Sequence, residues 1–403
     1  MPVDLSKLKL LCHFGNQFEE MNSLRSFPPF SEEGCSFLSD LSYELLQDKR
    51  AKAFPDIIAF AFFCRRSHVQ RMKSRYQGIL DDRLGRGVAF HIAPSNVPVQ
   101  FAYSLAVGIL SGNANVVRAS SKSFPQTEII CQAINKVFES GKHDCLKNYI
   151  SILSYDRDHE LTAYFSSRCD TRLIWGGDNT IEQIRKADIP PRAFDITFAD
   201  RYSLCVIHAD EYLQKYDPQK TARQFYNDTY FHHQKACSSP SLIVWFGESG
   251  IIAGARKVFW EAMYKYTKYR YALEPSVAID KYVTFCRSAV RLDHVLLEEM
   301  PDNLIQCIKV DSLSPDISDY RCAGGSFMEY HTENLESIKS IVDRKVQTLA
   351  YIAFQPEFLK KFVMEQGLLG IDRIVPVGKT ADFSLVWDGY DLIMGMSRII
   401  QVK

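Results

Sequence analysis

The sequence lacks an excess of charge of either sign. Its 403 residues contain 48 Lys and Arg against 48 Asp and Glu, and no long run of like charges occurs. Proteins that bind nucleic acids without sequence preference carry a basic face that neutralises phosphates, so this balance speaks against that class. A membrane span is not expected either, because Pro94 and Pro98 interrupt the uncharged segment 88–117 and leave less than the ~20 residues that a spanning helix needs.

Paired cysteine motifs are also missing. Eleven cysteines are scattered between Cys12 and Cys322, with no CxxC and no spacing typical of metal ligands, so no metal is expected. The first residues are punctuated by Asp4, Lys7 and Lys9, which prevents the apolar core of a signal peptide from forming there. Unpaired thiols without a secretory signal predict a reducing, cytoplasmic location.

The composition, with 46% hydrophobic and 12% aromatic residues, is typical of a globular protein, and the chain is long enough for two domains. Residues 1–80 show helical spacing of apolar side chains. Short apolar runs then alternate with helical patterns that begin at Pro98, Pro125 and Asp158. The alternation predicts an α/β domain with a largely parallel sheet; its predicted strands are 88–92, 115–119, 149–153, 172–175, 193–198 and 204–207.

A second α/β layer is predicted after residue 210. Its predicted helices cover 218–233, 250–269, 334–342 and 356–367, and its predicted strands cover 241–246, 304–310, 326–331 and 348–354. The interpretation is therefore a Rossmann-type nucleotide-binding domain over 1–205 with a helical N-terminal segment, and a catalytic α/β domain over 206–375. Residues 376–403 are expected to return to the first domain or to an oligomer interface.

One cysteine, Cys237, lies in a segment typical of a functional side chain held in position rather than of a side chain packed in the core. Cys237 follows a predicted helix and is surrounded by small residues. The segment ends at Pro240, before a strand-like run. Three alternatives stay open at this point. Cys237 is a small buried side chain, or it pairs with His232 or His233 in a Cys–His hydrolase, or His233 and Cys237 form half of a zinc site whose second pair is missing.

Three segments at the ends of predicted strands are candidates for ligand contact, although no GxGxxG fingerprint is present. Cationic and hydroxyl groups just after a strand suit ribose or phosphate, and glycines at the start of a helix suit a pyrophosphate. Asn179 also has capping-box spacing to Glu182. The candidates are Pro94, Ser95 and Asn96; Arg118, Ser120, Ser121 and Lys122; and Gly176, Gly177 and Asn179.

Several ordered blocks resemble a known family. Segments 92–98 (IAPSNVP) and 112–118 (GNANVVR) resemble the aldehyde dehydrogenase superfamily. Within it, the chain is more similar to the long-chain fatty acyl-CoA reductases of bioluminescence operons, the LuxC family, over roughly residues 55–403. The blocks that carry this second resemblance are 91–98, 117–125, 195–202 (DITFADRY), 236–240 (ACSSP), 371–379 (IDRIVPVGK) and 383–391 (FSLVWDGYD).

The resemblance implies an aldehyde dehydrogenase-like fold and a covalent mechanism. Cys237 would attack an acyl-CoA thioester, Asn96 would stabilise the oxyanion, and a reduced nicotinamide would supply hydride to release the aldehyde. Arg118 matches the residue that holds the adenine ribose, while Pro94, Ser95, Gly176, Gly177 and Asn179 belong to the cofactor site. Ser120, Ser121 and Lys122 favour NADPH, with NADH as the alternative.

One departure from the superfamily pattern favours reduction. Where hydrolytic aldehyde dehydrogenases carry a glutamate that activates water, this sequence reads Thr197-Phe198-Ala199-Asp200. The expected function is therefore NADPH-dependent reduction of a long-chain acyl-CoA. The alternatives are an aldehyde dehydrogenase of another substrate class, or a scaffold without activity for an acyl-transferring partner. The resemblance also implies a homo-oligomer and an acyl-protein synthetase partner.

Overall fold

The computed structural model describes residues 3–14 and 18–402. The chain divides into two compact units, Met1–Ala199 with Phe383–Lys403, and Asp200–Asp382. The predicted boundary after residue 205 would fall inside a strand, Tyr202–His208, that pairs in the second sheet. Residues 376–382 likewise belong to the second unit, so the C-terminal return begins at Phe383.

The first unit contains a sheet whose central strands are parallel and buried. Within the described residues it has six strands in the order β1-β5-β4-β3-β6-β7, and only β1 runs antiparallel to its neighbour. Every residue of β3, β5 and β6 is buried, as expected for strands covered on both faces. The strands of this part are β1 (Lys9–His13), β2 (Arg83–Gly85), β3 (Val88–Ile92), β4 (Ala114–Arg118), β5 (Ile150–Ser154), β6 (Thr171–Trp175) and β7 (Phe194–Phe198).

Amphipathic helices connect these strands and cover the sheet. Proline at the first helical position starts two of them, α2 and α5, where the missing N–H is not needed. The helices are α1 (Glu32–Gln47), α2 (Pro55–Cys64), α3 (Arg66–Ser74), α4 (Gln100–Leu110), α5 (Pro125–Glu139), α6 (His159–Ser166) and α7 (Asp178–Arg185). Short 3-10 turns cover Leu5–Lys7, Phe18–Ser23, Ala51–Ala53 and Asp144–Tyr149.

The second unit has its own sheet, which positions the cysteine. In the part that the structure describes, it has seven strands in the order β10-β11-β12-β9-β8-β13-β14, all parallel except β10. Alternate side chains of one strand enter two separate cores, so Ile243 packs on one face and Val244 on the other. The strands are β8 (Tyr202–His208), β9 (Pro240–Phe246), β10 (Val295–Leu297), β11 (Gln306–Val310), β12 (Ser326–Thr332), β13 (Val346–Ile352) and β14 (Arg373–Pro376).

Helices of the second unit cover both faces of that sheet. They are α8 (Ala209–Lys215), α9 (Pro218–Asp228), α10 (Ser249–Thr267), α11 (Pro275–Arg291) and α12 (Pro356–Glu365), with 3-10 turns at Tyr230–His232, Ile317–Tyr320 and Leu335–Ile341. The C-terminal tail adds β15 (Val386–Trp387), β16 (Tyr390–Asp391), α13 (Leu392–Gly395) and β17 (Ser397–Ile399), and β17 pairs with β2 of the first unit. No helix among the described residues is both long and apolar enough to cross a bilayer.

The predicted α/β class and the parallel sheets are confirmed, but four local predictions are wrong. The N-terminal region is not wholly helical, because β1 lies on the edge of the first sheet. Helix α4 begins at Gln100, and Pro98 belongs to the preceding turn. The helix predicted over 218–233 ends at Asp228, after which His233 and Gln234 both adopt positive φ. Two 3-10 turns replace parts of the predicted helices, at Tyr230–His232 and Leu335–Ile341.

Candidate functional site

The three candidate contact segments of the first unit leave the same edge of the first sheet. Strands β4, β3 and β6 are parallel neighbours, and Ile92 at the end of β3 pairs with both Arg118 and Ile174. The chain runs from β3 through β4 to β5 on one side, whereas β6 and β7 lie on the other. This reversal of strand order next to β3 is the topological position at which open α/β sheets bind ligands.

The loop after β3 presents its polar side chains outward. Pro94 is half-buried, while Ser95 and Asn96 are exposed between β3 and α4. An exposed amide at the carboxyl end of a central strand is free to orient toward a bound carbonyl. The position of Asn96 is thus compatible with its predicted role.

Arg118 closes the next strand and is held against Tyr155. Its guanidinium lies 4.5 Å from the centre of the Tyr155 ring, and Nη2 donates to the Tyr155 carbonyl over 3.2 Å. The Nε–H group is buried and has no hydrogen-bond partner among the described residues. A buried donor without an acceptor is costly, so this group fits a ligand oxygen. Ser120 Oγ accepts a hydrogen bond from the backbone of Lys122, while Ser121 and Lys122 are exposed.

The glycine segment after β6 begins a helix, but its capping differs from the prediction. Gly177 is the N-cap of α7, which begins at Asp178, so Asn179 lies in the first turn and does not cap with Glu182. A Cβ added at Gly177 would meet no atom within 4 Å, which leaves the backbone there open. Gly176 donates its N–H to the Phe198 carbonyl and is therefore tied to β7. The open helix start at Gly177 fits an anionic group.

Cys237 lies in a turn before β9, half-buried and fixed by two side chains of the second unit. The turn is closed by the hydrogen bond from the Ser239 N–H to the Ala236 carbonyl. The Ser203 hydroxyl donates to the Cys237 carbonyl over 2.7 Å, and the side-chain amide of Gln347 lies 3.2 Å from Cys237 Sγ. Cys237 is therefore positioned and partly exposed, whereas Cys205 and Cys307 are buried, and burial raises the pKa of their thiols well above the usual value.

Gln234 fastens the same loop to the sheet. Its side-chain Nε2 donates to the carbonyls of Pro240 and Ser326, and its Oε1 accepts from the backbone N–H groups of Gly325 and Ser326. All four distances lie between 2.9 and 3.1 Å. This side chain uses its full hydrogen-bonding capacity on the backbone around the cysteine turn, so the turn is rigid.

Two rival assignments for Cys237 involve histidine, and one of these histidines, His233, contacts a tyrosine. Nδ1 of His233 lies 3.3 Å from the Tyr271 hydroxyl, on the side of the loop that faces Tyr271. Across residues 3–14 and 18–402, no group of three or more His, Cys, Asp or Glu is arranged to hold a metal ion. Asp200, which stands near the position of the missing glutamate, forms an ion pair with Arg321.

Sequence reasoning missed Ser203, Gln234 and Gln347. The predicted strand began at Thr348, whereas β13 begins at Val346 and includes Gln347 as a completely buried residue. A glutamine at the start of an otherwise apolar strand was the available signal, because buried polar side chains need partners. Asn96 belongs to the first unit and Cys237 to the second, so their meeting at one reacting carbon stays a prediction.

Solved structures of low sequence identity share this architecture. Methylmalonate-semialdehyde dehydrogenase from Oceanimonas doudoroffii superimposes with a TM-score of 0.65 and 11% identity, covering 96% of this chain and 90% of that one. The NAD-dependent benzaldehyde dehydrogenase from Corynebacterium glutamicum gives a TM-score of 0.63 and 12% identity, covering 94% and 87%. The fold is therefore that of aldehyde dehydrogenases, as the resemblance implied.

Sequence comparisons give the family. The long-chain acyl-protein thioester reductase of Aliivibrio fischeri is 25% identical over 166 residues, which are 41% of this chain and 33% of that protein. The corresponding reductase of Photorhabdus laumondii subsp. laumondii is 22% identical over 334 residues, or 78% and 63%. The chain thus spans about a third of the first relative and less than two thirds of the second. The model of a family of reductase enzymes, described as acyl-CoA reductase (LuxC), matches residues 21–399. The chain belongs to the acyl-CoA reductase (LuxC) family.

Proposed function

We propose that this protein reduces the thioester of a long-chain fatty acyl group to the aldehyde through an acyl-enzyme on Cys237. The observation that carries the proposal is the half-buried Cys237 turn, in which Ser203 holds the carbonyl and Gln347 contacts the sulfur. The thiolate attacks the thioester carbon, the C–S bond to the donor breaks, and the donor thiol leaves with a proton. Asn96 is the proposed donor to the oxyanion that forms at this carbon.

The first unit fits a nicotinamide dinucleotide. The buried Nε–H of Arg118 lacks a partner among the described residues, and the start of α7 at Gly177 is open, which suits ribose and phosphate oxygens. The cofactor supplies the hydride that reduces the acyl group. Pro94 and Ser95 border the site after β3, and Asn179 borders it after β6.

The decisive experiment is covalent labelling without reduced nucleotide. Wild-type protein incubated with radiolabelled palmitoyl-CoA is expected to retain about one label per chain, and Cys237→Ala none. Cys286→Ala is the matched control, because Cys286 is also half-buried but lies in α11, and it should label normally. A wild-type protein that takes up no label from either palmitoyl-CoA or a palmitoyl-protein thioester would show that the chain is a scaffold.

The donor and the direction of the reaction are tested next. The family description names acyl-CoA, whereas the relatives are named for acyl-protein thioesters, so both donors with the same acyl chain should be compared. The absence of the water-activating glutamate from Thr197-Phe198-Ala199-Asp200 supports reduction over hydrolysis of the acyl-enzyme. Oxidation of free aldehyde without coenzyme A, at the rate of the thioester reaction, would instead identify an aldehyde dehydrogenase of another class.

NADPH is the proposed reductant, with NADH as the alternative. Ser120, Ser121 and Lys122 follow Arg118, and together they offer hydroxyl groups and a charge to a 2′-phosphate. Lys122→Ala is expected to raise the KM for NADPH about tenfold while leaving that for NADH nearly unchanged. Equal effects on both nucleotides would remove the preference for NADPH.

The proposal includes the oligomeric state, the acyl-donating partner and the cellular location. We propose a homo-oligomer of at least two copies that receives acyl groups from a synthetase partner, as the family resemblance implies. The unpaired thiols favour a cytoplasmic location. Light scattering at micromolar concentration is expected to give at least twice the 46.2 kDa mass of the chain. A monomer would remove the oligomer from the proposal and leave the chemistry of Cys237 unaffected.

A further inference from the structure

Gln347 is a completely buried glutamine whose side chain reaches Cys237. It lies at the second position of β13, and its Nε2 is 3.2 Å from Cys237 Sγ. Its Oε1 accepts a hydrogen bond from the Thr348 hydroxyl over 3.3 Å. Because that hydroxyl occupies the oxygen end of the amide, the NH₂ end is the one directed at the sulfur.

The amide is the end of a chain of donors that starts at a cation. Arg373, buried at the start of β14, donates through Nη1 to the Thr348 hydroxyl over 3.5 Å. Its guanidinium is fixed by the carbonyls of Thr380 and Asp382. Each group therefore donates toward the next, from Arg373 through Thr348 and Gln347 to Cys237. Hydrogen bonds aligned in one direction polarise one another, which strengthens the last bond.

The backbone of the cysteine turn is anchored separately. Ser203 binds the Cys237 carbonyl. Gln234, which precedes the turn, donates to the Pro240 carbonyl after it and accepts from the Gly325 N–H next to β12. None of these contacts involves the sulfur. Gln347 comes from β13, two strands away from β9 in the sheet order, and acts on the sulfur itself.

We propose that Gln347 is a positioning residue that holds Cys237 Sγ in the orientation for attack and favours its thiolate over its thiol. The inference rests on the proposed function of Cys237 as the nucleophile. An N–H donor forms a stronger hydrogen bond with a charged sulfur than with a neutral one, so the contact stabilises the thiolate. The thiolate is the form that attacks a thioester.

The test is the pH profile of alkylation of Cys237 by iodoacetamide, followed by peptide mass spectrometry, which separates it from the other ten cysteines. Gln347→Met removes the donor and keeps the size, whereas Gln347→Glu keeps the shape and adds a negative charge. At pH 7 we expect alkylation about tenfold slower in the Met variant and slower still in the Glu variant, with the midpoint about one pH unit higher or more. An unchanged midpoint in both variants would overturn the role.

Gln306→Met is the matched control, since Gln306 is also a buried glutamine at the start of a strand of this sheet, bonded to the Ser326 hydroxyl. It should leave the midpoint unchanged. If Gln347→Met does not fold, Thr348→Val removes the preceding donor and should shift the midpoint in the same direction by a smaller amount. No shift in Thr348→Val would then overturn the role.

Alkylation needs no acyl donor and no nucleotide, so the two proposals fail separately. A wild-type protein without acyl label, but with a shifted midpoint in Gln347→Met, would refute the proposed function and keep the contact. A wild-type protein that forms the acyl-enzyme, with no shift in the variants, would keep the function and refute the role of Gln347.

Discussion

The carboxyl group of Asp228 is buried at the end of α9, in the unit that carries Cys237. Its oxygens accept hydrogen bonds from the backbone N–H groups of Gly378, over 2.6 Å, and Thr380, over 3.1 Å. Burial raises the pKa of Asp228 to about 6, although these hydrogen bonds act in the opposite direction. Desolvation outweighs the two donors, so folding shifts the equilibrium of Asp228 toward the neutral carboxyl, although the carboxylate still predominates at pH 7.

The raised pKa of Asp228 predicts a pH-dependent stability. Because the folded value exceeds the unfolded one, this group stabilises the fold fully below about pH 4, and the contribution is lost as the pH rises through about 6. The loss is on the order of 3 kcal/mol. We expect the free energy of unfolding, measured with urea, to fall more for wild type than for Asp228→Asn between pH 4 and 7. The control Asp293→Asn, at an exposed position, should show the same pH dependence of stability as wild type. If Asp228→Asn also showed the wild-type pH dependence, the assignment to Asp228 would be contradicted.

At the scale of elements, the packing of α4 against the first sheet depends on Gly108. A Cβ there would stand 1.8 Å from Asn115 Oδ1 and 3.0 Å from His91 Nε2. Those two groups bond each other over 3.1 Å, and His91 also contacts the Ser104 hydroxyl on α4. The polar contacts between β3, β4 and α4 therefore need a residue without a side chain at this position.

Alanine substitutions at two helical glycines, Gly108 and Gly254, test this requirement. Gly108→Ala is expected to lower the free energy of unfolding by about 1–3 kcal/mol, since the methyl group must displace the Asn115 amide. Gly254→Ala in α10 should raise it by roughly 0.5–1 kcal/mol, because the nearest atom to the new Cβ is 3.9 Å away and alanine favours helix. Urea unfolding of both variants decides, and a stable Gly108→Ala protein would refute the close contact.

Elements with an ordinary pattern were predictable, and those defined by distant partners were not. Strand β3 has the predicted bounds because its apolar run is short and flanked by a glycine and a proline. Strand β1 is a strand because it pairs with β5, more than a hundred residues away. Helix α11 was not predicted because its pattern is inverted: Lys281 and Ser288 face inward, while Tyr282 and Val290 are exposed.

The residues of the candidate site likewise include some that the sequence indicates and others that only the structure reveals. Cys237, Asn96 and Arg118 could be proposed from the sequence because family blocks contain them. Gln347 lies in no family block. Its polar character in an apolar strand indicates that it needs a partner, but the contact with Cys237 depends on the sheet order β9-β8-β13. Sheet order joins residues whose separation along the chain carries no information about contact, so the donors around the sulfur required the structure.

At the scale of the whole molecule, the C-terminal tail completes the first unit. Residues 383–403 follow the second unit in sequence but belong to the first, where β17 pairs with β2. The Asn113 side chain donates to the Met396 carbonyl over 2.9 Å, and Arg83 binds both Met394 and Ser397. Leu392, Ile393 and Met396 are completely buried in the core of that unit.

Removal of the tail should therefore weaken one unit selectively. Deleting residues 383–403 exposes the apolar surface that these three side chains cover, at a cost on the order of 5 kcal/mol. Hydrogen exchange is expected to show lost protection in β3 and β4 of the first unit, whereas β9 and β12 of the second unit stay protected. Deletion of residues 401–403 alone is the control and should change neither, since Val402 is exposed. Equal loss of protection in both sheets would show that the two units unfold together, and the tail would then stabilise the whole chain.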